Sequence, residues 1–264
     1  MYATGQSYED QENFKLTIQI MTYNQFDPHP ALMDYIDAFW TATGDGKELT
    51  TEKILPDGCV DIIFNLGEDC KTDDNNFTMQ NGKVYLVGTM TRFKKTNMNP
   101  GTNLFGIRFK PAAFSAFYKF SSLHEVTDQT IEFEKVSSPD LQKTIQHSTA
   151  YLNHFFLNKL SKPKHILLPV VADIQNHKGQ MNVPTLAQRH FITTRQLERS
   201  FKQHIGVSPK EFINFVRYQF TLSLIQNKNS ARNLFDIAFD CGYYDHAHLT
   251  NEIKRYTGVA PSQL

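Results

Sequence analysis

The first half of the chain carries short apolar runs separated by turn-forming residues. Residues 13–20 alternate apolar and polar side chains, which predicts a strand with one buried face. Similar runs follow between clusters of glycine, asparagine and aspartate, at 59–65, 84–88 and 104–109. Short strands with this punctuation are typical of an antiparallel sandwich or a small barrel. We therefore expect a β-rich unit over residues 21–135, preceded by an N-terminal extension at 1–20.

One segment of this half fits two patterns. Residues 31–40 place Leu32, Tyr35, Ile36 and Phe39 on one face of a helix. The same ten residues could instead begin as a helix and end as an extended strand. The sequence leaves both alternatives open.

From Pro111 onward the apolar spacing becomes helical. A short helix is predicted over 112–118, and residues 141–160 carry an apolar stripe that ends before Pro163. Residues 136–164 therefore read as a helical linker or dimerisation segment, and 165–264 as a separate all-helical unit. The predicted fold class is α+β: a β-rich domain, then helices, then an all-α C-terminal domain.

A pattern occurs twice in the last eighty residues, and it predicts two helix-turn-helix motifs joined by a long helix over 209–226. Matched residues differ by 52 in number from Leu197 and Leu249 onward. Ala187 and Ala238 differ by 51, so one extra residue lies in the turn of the second copy. The first copy comprises Leu186-Ala187, Leu197, Phe201-Lys202 and Gly206-Val207-Ser208-Pro209; the second comprises Ile237-Ala238, Leu249, Ile253-Lys254 and Gly258-Val259-Ala260-Pro261.

The second helix of the first copy has one apolar and one charged face. It is predicted over residues 194–205, with Thr193 or Thr194 as N-cap and with Leu197 and Phe201 facing a core. The opposite face, which we call the first reading face, comprises Thr194, Arg195, Glu198, Arg199 and Lys202. Arginine can bond guanine edges bidentately and Lys202 can neutralise a phosphate. Glu198 could accept from a cytosine amine or pair with Lys202, and we favour the pairing.

The equivalent face of the second copy is polar but nearly uncharged. This second reading face comprises Tyr244, His246, Ala247, Thr250, Asn251 and Lys254. Asn251 could read adenine, and Ala247 could touch a thymine methyl. For a single helix, a solvated surface would be the simpler interpretation, but duplication of the motif favours DNA reading. We expect the first copy to set sequence choice and the second mainly to add affinity.

Charge is distributed unevenly although the formal net charge is zero. Residues 1–164 carry 16 Lys and Arg against 20 Asp and Glu, whereas residues 165–264 carry 11 against 7. Six of the ten histidines also lie in the C-terminal part. A basic half in a neutral chain supports contact between that half and nucleic acid.

Other sequence features indicate a cytoplasmic protein. The first twenty residues begin polar and acidic, unlike a signal peptide, and no apolar run is long enough to span a bilayer. Three scattered cysteines, Cys59, Cys70 and Cys241, suggest reduced thiols.

The residues that an enzyme or a metal site would need are not apparent. Residues 1–135 contain only His29 and His124, outside any His-x-His arrangement, and His246 and His248 point apart on a helix. Phosphate-binding loops, nucleophile elbows and Cys-x-x-Cys pairs are also missing. We therefore expect no catalytic residues, no metal and no cofactor.

The C-terminal hundred residues resemble the tandem helix-turn-helix domain of the AraC/XylS-type bacterial transcriptional regulators. The second copy departs from the family at Ala247 and Asn251, where Ser and Arg are frequent. The resemblance rests on both copies described above, together with Arg195–Lys202, Gly242-Tyr243 and His248–Lys254.

Residues 21–135 resemble a cupin-like sensor domain that often precedes such a module. The residues that carry this likeness are Phe39-Trp40, Leu55–Cys59, Asp61–Phe64 and Gly106–Pro111. The two resemblances together imply a sequence-specific regulator that binds double-stranded DNA, forms a homodimer and senses a small molecule or partner, with RNA polymerase as a further candidate partner. An effector pocket would use the aromatic residues Trp40, Tyr85, Phe105 and Phe109. The alternative is a protein–protein interaction module with a ligand-free cupin-like domain.

Overall fold

The computed structural model describes residues 21–44, 46, 48–134, 137–227 and 233–264. The predicted strand at 13–20 and the extension at 1–20 lie outside the described residues. Strands fill the N-terminal part and helices the C-terminal part, as the α+β prediction requires. Among the described residues, every helix is too short or too polar to cross a membrane.

The described residues include ten strands, which form one large antiparallel sheet and two ribbons. The large sheet has the order β1-β2-β9-β4-β7-β10, while β3 pairs with β8 and β5 pairs with β6. The strands are β1 Met21–Phe26, β2 Ile36–Gly44, β3 Thr50–Ile54, β4 Val60–Asn65, β5 Cys70–Thr72, β6 Phe77–Met79, β7 Val84–Val87, β8 Lys94–Met98, β9 Asn103–Phe109 and β10 Thr130–Glu132.

Both faces of the large sheet are covered, which explains why its central strands are almost wholly buried. Side chains alternate along a strand, so Phe105, Ile107 and Phe109 of β9 face one way. They pack with a helix, α1 (Leu141–Lys159), in an aromatic core. Leu104 of β9 faces the other way, into a smaller core that it shares with Met98 of the β3–β8 ribbon.

Two sequence predictions in this domain are settled by the backbone. Residues 31–40 begin with a 3-10 turn at Pro30–Leu32 and continue as strand β2, so the mixed alternative is correct. The predicted helix over 112–118 is wrong, because the segment contains only a 3-10 turn at Phe114–Ala116. Ala112 has a φ of 67°, and a left-handed residue at that point prevents an α-helix from starting.

In the C-terminal part, the structure describes six further helices. They are α2 Leu167–Asn176, α3 Val183–Arg189, α4 Thr194–His204, α5 Pro209–Gln226, α6 Leu234–Asp240 and α7 His246–Thr257. A 3-10 turn at Pro261–Gln263 follows α7. One apolar core joins these helices and includes Leu197 and Phe201 of α4 and Leu249 and Ile253 of α7.

Side-chain caps explain where the helices begin. Thr193, rather than Thr194, caps α4. Its hydroxyl accepts from the Gln196 backbone N–H, and the Gln196 side-chain oxygen accepts from the Thr193 backbone N–H. Ser208 and Glu211 form the same reciprocal box at α5, where Pro209 occupies the first helical position. These local rules fix the register of the helices that follow each turn.

Candidate nucleic-acid interface

The two helix-turn-helix motifs share one backbone plan. In the first, the Ile192 N–H donates to the Ala187 carbonyl at 3.0 Å; in the second, the Tyr243 N–H donates to the Ala238 carbonyl at 2.9 Å. These equivalent bonds align α3 with α6 and α4 with α7. We call α4 and α7 the recognition helices.

The alignment locates the extra residue of the second motif. Thr193 follows Ile192 directly and caps α4, whereas Tyr244 stands between Tyr243 and the N-cap Asp245 of α7. Tyr244 is therefore the insertion that the numbering predicted. Its side chain is exposed, so the added residue enlarges the surface without disturbing the core.

The first reading face lies in solvent. Thr194, Arg195, Arg199 and Lys202 are exposed and Glu198 is half-buried. Within the part of the chain that the structure describes, the charged groups of these residues form no ion pair within 4 Å. The favoured Glu198–Lys202 pairing is thus not formed, and the basic groups are free to meet an external partner.

The second reading face is also open to solvent. Tyr244, His246, Ala247, Asn251 and Lys254 are exposed and Thr250 is half-buried. Leu249 and Ile253 are fully buried on the opposite side of α7. The structure therefore orients both sets of predicted residues outward, as the helical spacing implied.

A buried ion pair beneath α7 holds the second recognition helix against the connecting helix α5. The Arg217 Nη2 lies 3.1 Å from the Glu252 Oε2, and the guanidinium lies 4.7 Å from the centre of the Tyr243 ring. The side chains of Arg217 and Glu252 are only 15% and 9% exposed. Sequence inspection missed this pair because its partners are 35 residues apart and neither belongs to a reading face.

The N-terminal domain contacts the C-terminal end of the first recognition helix. The Ser122 hydroxyl donates to the Lys202 carbonyl at 3.2 Å and the Thr89 hydroxyl to the Ile205 carbonyl at 2.6 Å. The Gly206 carbonyl accepts two bonds of 2.8 Å, from the His124 Nδ1 and the Thr127 hydroxyl. These bonds therefore satisfy the Lys202 carbonyl in the last turn of α4 and the carbonyls of Ile205 and Gly206, which follow the helix.

The second recognition helix receives a similar contact. The Lys53 ammonium donates to the Thr257 carbonyl at 2.8 Å, and it lies 4.9 Å from the centre of the Phe93 ring. Phe93 packs so closely on Gly258, which has a φ of 75°, that a Cβ there would lie 2.6 Å from the ring. We call the bonds made by Lys53, Thr89, Ser122, His124 and Thr127 the helix-end contacts.

The predicted effector residues do not form one pocket. Trp40 and Tyr85 face the ribbon side of the large sheet, whereas Phe105 and Phe109 face the α1 side. Phe109 is enclosed by other aromatic rings, including Phe114 and Phe156. A cavity of about 550 Å³ lies elsewhere, between the edge strand β10 and the start of α1, and is lined by Lys83, Glu132, Asp140 and Tyr151 among others.

Trp40 instead belongs to a buried polar cluster. Its indole N–H donates to the Asp61 carboxylate at 2.7 Å, and the Arg108 Nε lies 3.5 Å from the same oxygen and 3.0 Å from Asp57. Burial raises the pKa of Asp61 to about 6, although the nearby guanidinium opposes this shift. Among the described residues, no His, Cys, Asp and Glu side chains form a group of three or more suited to a metal.

Two family models match the chain. A domain described as "Helix-turn-helix domain" matches residues 186–264, and a "Domain of unknown function (DUF6597)" matches residues 24–132. The first match covers both motifs, and the second covers most of the predicted sensor domain.

Curated relatives match mainly at the C-terminal end. An uncharacterized HTH-type transcriptional regulator of Haemophilus influenzae is 31% identical over 100 residues, which is 38% of this chain and 33% of the relative. The HTH-type transcriptional activator RhaS of Escherichia coli is 25% identical over 124 residues, 47% of this chain and 39% of the relative. The chain thus spans between a third and two fifths of the length of these relatives.

Solved structures give weaker likenesses. The match to ToxT from Vibrio cholerae covers 82% of this chain and 96% of the ToxT chain, at 12% identity and a TM-score of 0.47. An AraC-type regulator from Chromobacterium violaceum covers 37% of this chain with 86% of its own, at 21% identity and a TM-score of 0.35. The match over residues 186–264 shows that this part of the chain is a helix-turn-helix domain, and both motifs lie within it.

Proposed function

We propose that this protein is a sequence-specific transcriptional regulator that binds double-stranded DNA through both recognition helices. The observation that carries the proposal is the pair of solvent-exposed reading faces on one apolar core. The names of the matched relatives, a transcriptional regulator and a transcriptional activator, support the same role. The proposal assigns the chain no catalytic activity, and a regulator of this kind would act in the cytoplasm.

The side chains on the two faces suit different tasks. Arg195 and Arg199 can each form two hydrogen bonds to a guanine edge, whereas Asn251 can bond an adenine edge. Lys202 and Lys254 lie toward the C-terminal ends of the recognition helices, where each would neutralise a phosphate. If both helices enter one face of a duplex, their sites lie about 34 Å, or about 10 base pairs, apart.

A sensing role for the N-terminal domain would act through the helix-end contacts. These bonds hold both recognition helices by their C-terminal ends and leave both reading faces exposed. A small molecule or partner that shifts the domain would therefore change the relative placement of the two helices rather than cover them. Homodimer formation and contact with RNA polymerase are further parts of the proposal, carried by the family resemblance.

Selection of bound duplexes from a random pool tests the proposal. The full chain should enrich one sequence, and its binding constant should fall linearly with salt on logarithmic axes because counterions are released. The double variant Arg195→Ala/Arg199→Ala should lose the sequence preference, whereas Lys71→Ala, an exposed cation on β5, should retain it. Binding without sequence preference and without salt dependence would favour a protein–protein interaction module instead.

A further inference from the structure

Phe191 combines an unfavourable backbone with complete exposure. It lies in the turn of the first motif, has a φ of 55°, and its side chain is 96% exposed. The second motif places Gly242, with a φ of 72°, at the equivalent point. A left-handed conformation suits glycine but is disfavoured for a bulky side chain.

Neither the fold nor the core explains this phenylalanine. The ring gains nothing from burial, and the turn hydrogen bond from the Ile192 N–H would form equally well with glycine at 191. A strained backbone position points to a functional role, and a ring that projects fully into solvent can fulfil one only by contacting something outside the chain.

The position of the ring points to DNA as that partner. Phe191 lies two residues before the N-cap Thr193 and four before Arg195, and the N-terminal residues of a recognition helix contact base edges. The second motif also has an exposed ring just before its recognition helix, although it belongs to the inserted residue, Tyr244, which is 93% exposed. Two dissimilar turns thus each deliver one exposed ring beside the start of a recognition helix.

We propose that Phe191 contacts the methyl group of a thymine at the edge of the base pairs read by the first motif. A phenyl ring has no hydrogen-bond donor or acceptor, and the thymine methyl is the apolar feature of the major groove. The inference rests on the DNA-binding function proposed above. It adds a residue outside the first reading face and an apolar contact to a base.

Deoxyuridine replacement tests the contact because it removes only the methyl group. The selected duplex is prepared with each thymine replaced singly, and binding of the full chain is measured by fluorescence anisotropy. At one position the replacement should weaken wild-type binding about fourfold, as expected for one buried methyl group. Phe191→Ala should weaken binding about tenfold and should no longer distinguish thymine from uracil there.

Two further variants separate contact from folding. Phe191→Gly should raise the melting temperature by about 2–4 °C, because it relieves the left-handed strain, while lowering DNA affinity as alanine does. Phe239→Ala removes a phenyl ring that is 80% exposed on α6, and it should leave affinity and the thymine preference unchanged.

The outcomes are distinguishable. Undiminished affinity of Phe191→Ala, an equal loss in Phe239→Ala, or thymine discrimination that survives in Phe191→Ala would each overturn the assignment while leaving the regulator proposal intact. Failure of the wild-type chain to select any duplex would overturn both.

Discussion

Replacing Arg217 with methionine removes the guanidinium that neutralises a buried carboxylate beneath the second recognition helix. The Glu252 side chain is 9% exposed, and its Oε2 accepts from Arg217 across the α5–α7 contact. Methionine retains most of the apolar stem, so the change isolates the loss of charge. Burying an unpaired carboxylate is costly, which makes this a sensitive probe of how α7 is held.

The expected destabilisation is about 3 kcal/mol, the lower end of the range for breaking a buried pair from one side. The lower end applies because the pair is incompletely hydrogen-bonded: the Arg217 Nε and the Glu252 Oε1 lack hydrogen-bond partners among the described residues, so there is less to lose. The His248 Nε2 also lies 3.7 Å from Glu252 and can take over part of the interaction. For a chain of this size, such a loss lowers the melting temperature by roughly 6–12 °C.

Thermal unfolding followed by circular dichroism measures the effect, and a double-mutant cycle interprets it. Arg217→Met/Glu252→Leu removes both charges and should be destabilised by less than the sum of the two single variants. Thr51→Val, a change of an exposed hydroxyl in the β3–β8 ribbon, serves as a control with little effect. A single-variant cost below about 1 kcal/mol, or additive single and double variants, would refute a structural role for the pair.

Three other predictions address DNA reading, domain docking and pH. Arg195→Ala and Arg199→Ala should each cost about 1–3 kcal/mol in DNA-binding free energy and relax base choice. Lys254→Ala should weaken binding to all duplexes alike and lower the slope of the salt dependence by about one. If Asn251→Ala lost more specificity than the arginine variants, the ranking of the two motifs would be reversed. Thr89→Val leaves the Ile205 carbonyl without its hydroxyl donor, which should weaken the docking of the two domains by about 1–3 kcal/mol. Trypsin should then cleave after the exposed Lys164 faster than it does in the control variant Thr51→Val. An unchanged cleavage rate would argue against docking through the helix-end contacts. Burial raises the pKa of Asp61 to about 6, so protonation favours the folded state and stability should fall as the pH rises from about 4 to about 6. Fluorescence of Trp40, the single tryptophan, should titrate with the same midpoint in the wild type and not in Asp61→Asn, and a titration that persists in the variant would assign it to another group.

The helical half was largely accessible to sequence reasoning because its rules are local. The spacing of Leu197, Phe201 and the charged residues set the buried and exposed faces of α4, and the 51-to-52 offset located an insertion that proves to be Tyr244. Capping by Thr193 and Ser208 follows from side chains within three residues of each helix start.

Local rules do not predict which face of the sheet each side chain occupies. Trp40 and Phe105 both read as buried aromatic residues, but the face that each occupies depends on the pairing register. Trp40 lies opposite Gly106 in that register and therefore shares its face, away from Phe105. The helix predicted over 112–118 was wrong because helical spacing of aromatic residues does not reveal a left-handed backbone, and Ala112 has a φ of 67°.

The helix-end contacts were also beyond sequence reasoning. A threonine hydroxyl at 89 and a carbonyl at 205 are joined across 116 residues by the docking of two domains. Neither group is unusual in composition or spacing. The link between the N-terminal domain and the recognition helices therefore becomes visible only in three dimensions.

We propose that the first motif selects the DNA sequence and that the second mainly adds affinity. The most direct test is the base preference of the full chain, measured by duplex selection for the wild type and for Arg195→Ala/Arg199→Ala. We expect one strongly preferred half-site, lost in the variant, beside a weakly preferred half-site about 10 base pairs away. Two equally strong half-sites, or a preference that survives the double replacement, would contradict it.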